Sequence, residues 1–212
     1  MAILAALQLH NYRGGTCEST NGFCPSWIAD HLDRYRTPFI EHVELTLTAV
    51  ALGFLVSFAL GMLAHRRRWL VTPVTVVTGV LFTVPSVAAF YLLLPITGRG
   101  FKTAEIALTS YMLLIIFRNV TSGLAGASPD AVDAARGLGL TDGQVLWRIE
   151  LPLALPTIFA GLRVAATTAV SLATLAFFAG AGGLGGQIYA DLNFKSNVVV
   201  AGGLCVLLAV VL

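Results

Sequence analysis

The residues of this chain that could do acid–base, nucleophilic or metal chemistry are few and lie far apart. Four histidines and eleven Asp and Glu residues are spread over 212 positions, without the spacing of a catalytic or metal site. The phosphate-binding pattern G-x-x-x-x-G-K-[ST] does not occur, so the chain itself is not expected to bind ATP. A net charge of +2 gives no basic field for nucleic acid. The sequence therefore predicts a protein that is not an enzyme and has no metal or cofactor of its own.

The densest pattern of capping and small residues lies between positions 127 and 157. Ser128 suits a helix N-cap, and Pro129 suits the first helical position. The helix can end in a left-handed conformation at Gly137 or Gly139. This pattern predicts a short helix at the start of a polar loop.

A second helix start follows, because Thr141 and Gln144 have the spacing of a capping box. An apolar face continues to Leu151, until Pro152 and Pro156 break the helix. The loop is therefore predicted to be a compact helix–turn–helix, parallel to the membrane, whose small residues let another protein approach closely. An ordinary connecting loop that caps its own helices is the alternative.

The composition requires a membrane around much of the chain. Hydrophobic residues make up 57% and charged residues 11%, against roughly 45–50% and about 25% in soluble domains. The mean hydropathy is +0.82. Since a spanning helix needs about 20 apolar residues, the predicted fold is an all-α integral membrane protein with five transmembrane helices. An N-terminal segment over 1–44 precedes a transmembrane domain over 45–212, with spans at 45–64, 74–95, 104–124, 158–178 and 196–212.

The sidedness follows from the cluster Arg66–Arg68, which directly follows the first span. The positive-inside rule places such clusters in the cytoplasm. The loop over 125–157 is therefore predicted to be cytoplasmic, and the N-terminus to lie outside the cell membrane. Cys17 and Cys24 would then lie outside, where a disulfide and a free pair are both open alternatives.

The loop resembles the EAA loop of type I ABC importer permeases, whose pattern is E-A-A-x3-G-x9-I-x-L-P. Its fixed positions are occupied by Asp133, Ala134, Ala135, Gly139, Ile149, Leu151 and Pro152. The single departure is Asp133, which keeps the charge of glutamate on a shorter side chain. In that family the short helix is a coupling helix that sits in a cleft of the cytoplasmic ATPase. The resemblance implies ATPase contact or coupling roles for Ser128, Pro129, Asp133, Ala134, Ala135, Arg136, Gly139, Ile149, Leu151 and Pro152.

Four further stretches look like permeases of the glycine betaine, carnitine and choline osmoprotectant group. They are Val84–Ser86, Phe117–Leu124, Glu150–Pro156 and Gly180–Gly185. The resemblance implies one permease subunit of an ATP-driven, binding-protein-dependent importer, which pairs with a second permease subunit that is either identical or different. It also implies two cytoplasmic ATPases that bind ATP and Mg, and a separate solute-binding protein outside.

Several intramembrane residues could line a solute pathway or form its gate. They are Pro85, Ser86, Phe90, Tyr91, Arg118, Asn119, Gly182 and Gly185. Pro85 predicts a kink in the second span. For Arg118 and Arg163, anchoring or pairing near the loop is favoured over a pathway role. Gly182 and Gly185 fit either a mobile gate or simple close packing. Ring faces for a quaternary ammonium could come from Phe82, Phe90, Tyr91, Tyr111, Phe177 and Phe178, although aromatic residues in spans are more often core or lipid-facing.

Two other functions fit a membrane protein of this composition. A secondary transporter driven by protons or sodium would need buried carboxylates near the midplane, and no Asp or Glu is expected deep within a span. A membrane scaffold would recruit a cytoplasmic partner without moving solute. Uptake that survives ATP depletion would favour the transporter, and ATPase binding without stimulation would favour the scaffold.

Overall fold

The computed structural model of the chain describes residues 24–190, 192 and 195–212. Every regular element in those residues is helical, which confirms the predicted all-α fold. The α-helices are α1 Pro25–Asp30, α2 Asp33–Arg66, α3 Val71–Thr83, α4 Ser86–Thr97, α5 Phe101–Ala125, α6 Pro129–Gly137, α7 Asp142–Val145, α8 Leu151–Ala173, α9 Leu184–Ala190 and α10 Lys195–Val211. Short 3-10 turns lie at Arg68–Leu70 and Ala176–Ala179, and a π turn lies at Leu146–Glu150. The expected choice between a Cys17–Cys24 disulfide and a free pair falls outside the described residues, because Cys17 does.

Three helical stretches in the described residues are long and apolar enough to cross a membrane. They are α2, α5 and the continuous stretch Asp142–Ala173. Helices α3 and α4 make a fourth only if the pair, which is bent by 96°, is one broken span. Helix α10 is apolar but has only 17 residues. By length and composition the described residues therefore give three spans, or four with the bent pair, where five were expected.

Helix α2 begins at Asp33 rather than at Leu45, where the first span was expected to start. The additional turns are held by contacts with α10 and α8. The Tyr35 hydroxyl donates to Asn197 Oδ1 at 2.7 Å, and His42 Nε2 lies 3.1 Å from the Val170 carbonyl. Long-range packing of this kind is not visible in a local hydropathy pattern.

The second span is broken at Val84 and Pro85, both of which have extended backbone angles. A residue before proline disfavours the helical region, and proline itself has no N–H to donate. The Tyr111 hydroxyl of α5 donates to the freed carbonyl of Val84. The predicted kink is thus confirmed, and it is sharp enough to turn α4 away from α3.

Helix α2 packs against α5 through a buried stripe of small residues, Gly53, Ser57 and Gly61. A Cβ added to Gly53 would lie 2.6 Å from the Cβ of Met112, and Ser57 Oγ donates to the Leu113 carbonyl at 3.1 Å. Small residues at four-residue spacing let two spanning helices approach closely. The close approach of α2 to α5 therefore depends on small residues at these three positions of α2.

The prolines before the fourth span do not break the helix, contrary to the prediction. The chain stays helical from Asp142 to Ala173. Pro152 lies in the first turn of α8, directly after the π turn, where a missing N–H is tolerated. Pro156 lies inside α8, as prolines can in spanning helices that are supported by neighbours. The second helix of the loop is therefore continuous with the fourth span, whereas α6 is a separate helix.

Candidate functional site

Helix α6 forms the first arm of the loop and ends in a Schellman motif. The Leu140 N–H donates to the Ala135 carbonyl at 3.1 Å, and the Gly139 N–H donates to the Arg136 carbonyl at 2.9 Å. Gly139 has a φ of 84°, which strains any residue with a side chain. The backbone at the end of α6 therefore explains the glycine of the EAA pattern. Ser128 occupies the expected N-cap position, but its side chain makes no capping hydrogen bond.

The second arm begins with the predicted capping box. The Gln144 N–H donates to Thr141 Oγ1 at 3.4 Å, and the Thr141 N–H donates to Gln144 Oε1 at 2.9 Å. Arg136 joins the two arms, because its guanidinium lies 3.3 Å from Asp142 Oδ1 and 4.0 Å from Asp133 Oδ1. The capping box and the contacts of Arg136 thus join the two arms of the loop.

The turn between the two arms presents an apolar side chain to solvent. The side chain of Leu138 is 82% exposed. A Cβ added to Gly137 or Gly139 would meet no other atom within 4 Å. We call residues 137–139 the loop tip. Sequence reasoning did not single out Leu138, because the EAA pattern leaves its position unspecified and only the fold shows its exposure.

The other positions of the EAA pattern divide between the surface and the bundle. The exposed ones are Asp133, Ala134 and Pro152, and the buried or half-buried ones are Ala135, Ile149 and Leu151. Leu151 packs against the core formed by α2, α5 and α8. One half of the pattern therefore fastens the loop to the bundle, and the other half is free to contact a partner.

A cleft of about 1010 Å³ lies between the loop and the neighbouring ends of α2, α3 and α5. Two of the expected pathway residues, Arg118 and Asn119, line it together with Arg136. His65 at the end of α2 also lines it, with its Nε2 2.8 Å from Glu150 Oε2 of the π turn. That contact, which the sequence reasoning missed, ties a spanning helix to the second arm of the loop.

The other pathway candidates lie in the middle of the bundle or at its opposite end, which we call the glycine end after residues 180–183. Pro85 and Ser86 form the break between α3 and α4. Phe90 is 0% exposed and packs in the core, and its place on a pathway stays a prediction. Its neighbour Tyr91 is 52% exposed.

The glycine end is built from close contacts. Gly182 has a φ of 79°, and an added Cβ would overlap the carboxylate of Glu41. The same carboxylate accepts the Gly183 N–H at 2.9 Å. A Cβ added to Gly185 would overlap the Thr174 carbonyl at the end of α8. In this conformation neighbouring atoms therefore leave no room for a side chain at either gate candidate, Gly182 or Gly185.

One carboxylate is buried inside the bundle, although none was expected deep within a span. Glu105 is 7% exposed and accepts hydrogen bonds from Thr48 at 2.9 Å and from Thr109 at 3.5 Å. It lies in the first two turns of α5, where hydroxyl groups satisfy it. That position near a helix end differs from the midplane position that an ion-coupled mechanism requires.

A family model described as a binding-protein-dependent transport system inner membrane component matches residues 49–212. The match begins in α2 and continues through the loop, the glycine end and α10. It therefore covers the whole loop, the cleft and the glycines of the glycine end, but not Glu41 or Thr48, which precede it.

Three curated relatives have similar length and sequence. The choline transport system permease protein OpuBB of Bacillus subtilis is 35% identical over 163 residues, which are 77% of this chain and 75% of the relative. The carnitine transport permease protein OpuCB of Listeria monocytogenes is 37% identical over the same shares of the two chains. The osmoprotectant import permease protein OsmW of Salmonella typhimurium is 37% identical over 81% of this chain and 83% of the relative.

Two solved structures have the same fold. An inward-facing form of the MetNI methionine ABC transporter matches with a TM-score of 0.72 at 21% identity, over 84% of this chain and 92% of that chain. An amino acid ABC transporter crystallised with histidines matches with a TM-score of 0.65 at 16% identity, over 87% and 91%. Family model, relatives and fold agree, and the chain belongs to the inner membrane components of binding-protein-dependent transport systems, as a non-catalytic permease subunit of an ABC transporter.

Proposed function

We propose that this permease subunit imports quaternary-ammonium osmoprotectants and that a cytoplasmic ATPase drives it through the loop tip. The observation that carries the docking role is the 82% exposure of Leu138, between two glycines that have open space around them. An isolated apolar side chain on a polar loop is stabilised when a partner covers it. Because ATP hydrolysis belongs to a separate subunit of such transporters, that ATPase is the partner we assign.

The continuous helix from Asp142 to Ala173 is the element that would carry the motion across the membrane. Its 32 residues span about 48 Å at about 1.5 Å per residue. The loop tip lies beside one end of this helix, and the Thr174 carbonyl under Gly185 lies beside the other. A displacement of the loop would therefore reach the glycine end through one rigid element.

The proposed sidedness rests on charge. The exposed residues Arg66–Arg68 lie at the loop end of α2, and the positive-inside rule assigns that end to the cytoplasm. The N-terminus and the glycine end then face outward, toward a solute-binding protein. In our proposal two permease subunits, identical or different, pair around a shared axis and carry two ATPases, which bind ATP and Mg.

The solute class is inferred from the relatives. Their names include choline, carnitine and osmoprotectant import, and choline and carnitine both carry a trimethylammonium group. In the mechanism we propose, ATP binding draws two loops together, the bundle opens outward, and hydrolysis returns it to the inward-facing state. The permease contributes differential contacts with its partners in the two states.

The docking role is tested by replacing Leu138 with serine in cells that take up glycine betaine through this chain. We expect Leu138→Ser to abolish uptake and to leave the amount of protein in the membrane unchanged. Ile96→Ser is the matched control, because Ile96 is 79% exposed but lies at the end of α4, away from the loop. Normal uptake by Leu138→Ser would contradict the docking role.

A further inference from the structure

One side of α8 carries polar groups although the helix is a membrane span. This polar face consists of Arg163, Thr167 and Ser171, together with Thr174, which directly follows the helix. Arg163 and Ser171 are exposed, and the two threonines are half-buried. The buried side of α8 consists mainly of alanines, together with Ile158, Gly161 and Val170.

The hydroxyl groups of the polar face are satisfied within the helix. Thr167 donates to the Arg163 carbonyl at 3.1 Å, Ser171 to the Thr167 carbonyl at 3.2 Å, and Thr174 to the Ser171 carbonyl at 2.6 Å. In the described part of the chain Arg163 has no ion-pair partner. A guanidinium in a span almost always faces water or the interior of an assembly and not lipid. Water or the interior of the assembled transporter is therefore the expected neighbour of the polar face.

Four aromatic rings meet at the end of the polar face, since Phe177 follows Thr174 by about one turn. We call them the aromatic cluster: Tyr91, Phe177, Phe178 and Tyr189. The ring centroids of Phe177 and Tyr189 lie 4.5 Å apart, and those of Phe177 and Phe178 lie 4.1 Å apart. The centroid of Tyr91 lies 6.4 Å from that of Phe178.

The cluster joins three separate parts of the bundle. Tyr91 comes from α4, the two phenylalanines from the 3-10 turn after α8, and Tyr189 from α9. Tyr91 is 52% exposed and Tyr189 is 44% exposed, so ring surface remains free. Sequence reasoning named three of these residues among six aromatic candidates. It did not include Tyr189, which only the fold brings to the group.

We propose that the aromatic cluster is the solute-binding site at the outer mouth of the permease and that the polar face of α8 lines the path below it. A trimethylammonium group has no N–H to donate, so it is recognised by the negative faces of aromatic rings. The hydroxyl groups below offer acceptor lone pairs to water and to the solute. This inference rests on the proposed function and adds to it a site and the chemistry that the site recognises.

The test is uptake of labelled glycine betaine and choline by the complete transporter reconstituted in vesicles. We expect Tyr189→Leu and Tyr91→Leu to lower the uptake rate at low solute concentration by about tenfold each, because each removes one cation–π partner. Tyr189→Phe keeps the ring and should retain near-normal uptake. Trp69→Leu removes a 69% exposed ring at the other end of the bundle and should have no effect.

ATPase stimulation by the solute-loaded binding protein separates this inference from the proposed function. We expect the two leucine variants to keep that stimulation, since the loop tip is intact. If the wild type takes up neither solute, the proposed solute class is wrong, and the inference fails with it. If the wild type takes up either solute and Tyr189→Leu does so equally well, the aromatic site alone is wrong.

A thiol reagent that carries a trimethylammonium head tests the path without removing a ring. We expect Ser171→Cys in the assembled transporter to react above the wild-type background, because the polar face is wet. Val206→Cys, at a 63% exposed position of apolar α10, should stay at background. A Ser171→Cys variant that reacts no faster than Val206→Cys would overturn the assignment of the polar face.

Discussion

The loop tip and the glycine end both depend on glycines in the left-handed region, but for different reasons. Gly139 has a φ of 84° and Gly182 a φ of 79°. A Cβ added to Gly139 would meet nothing within 4 Å, whereas one added to Gly182 would overlap the carboxylate of Glu41. The first glycine fixes a backbone turn in open space, and the second permits close packing.

The difference separates a glycine whose surroundings are open from one whose surroundings are filled. At the glycine end the Glu41 carboxylate accepts the Gly183 N–H, and Gly185 packs directly against the Thr174 carbonyl at the end of α8. At the loop tip, backbone hydrogen bonds fix the turn around Leu138. The Leu138 side chain is 82% exposed among the described residues. An exposed apolar side chain on a fixed turn, as at the loop tip, fits a docking surface. Close contacts between neighbouring segments, as at the glycine end, fit internal packing.

The largest effect on stability is expected at the glycine end, from Gly185→Ala. The added Cβ overlaps the Thr174 carbonyl, so α9 must move away from the end of α8. We expect a loss of about 3 kcal/mol in the free energy of unfolding, measured by thermal unfolding in detergent. Gly203→Ala is the control, because its Cβ would meet nothing within 4 Å. Equal melting temperatures for the two variants would contradict the contact.

The next effect is expected from Glu41→Ala, which removes the acceptor of the Gly183 N–H at 2.9 Å. A buried donor that is left without a partner costs about 2 kcal/mol, and the same unfolding measurement would detect it. Glu44→Ala one turn along α2 changes an exposed side chain and should melt like the wild type. If both variants melt alike, the carboxylate does not hold the glycine end.

At the loop tip, Gly139→Val should abolish transport and leave the rest of the fold intact. A side chain at a φ of 84° costs about 1–2 kcal/mol locally, and the bulk obstructs the docking surface. Uptake and the amount of protein in the membrane are the two measurements. Gly143→Ala is the control, because Gly143 lies in α7, outside the loop tip, its added Cβ would meet nothing within 4 Å, and alanine favours a helix. Normal uptake by Gly139→Val would count heavily against docking.

The smallest effects are expected within the loop arms. Thr141→Ala removes the capping box and should cost about 1 kcal/mol of local stability, seen as faster hydrogen exchange in α7. Arg136→Ala removes an exposed pair with Asp142 at 3.3 Å and should cost less than about 0.5 kcal/mol. The reverse order would mean that charge, and not capping, shapes the loop.

The elements that could be predicted from the sequence are those that local chemistry decides. The capping box at Thr141 and the break at Pro85 follow from neighbouring residues, and both are confirmed. The helix through Pro152 was predicted wrongly, because a π turn and the surrounding helices keep it continuous. Burial of Phe90 could not be predicted either, since it depends on contacts between distant parts of the chain.

The same limit applies to the candidate sites. The EAA pattern located the loop, but the exposure of Leu138 and the contact of His65 with Glu150 depend on the tertiary fold. Tyr189 joins the aromatic cluster only because α9 folds back over the end of α8. Spacing along a sequence predicts which residues form a turn, and packing decides what the turn faces.

The most direct test of the docking role is site-specific cross-linking from Leu138→Cys in the intact membrane assembly. The account predicts a cross-link to the ATPase subunit whose yield changes when ATP is bound. Ile96→Cys, at an equally exposed apolar position on α4, should give no such product. A cross-link to the ATPase from Ile96→Cys and none from Leu138→Cys would contradict the account.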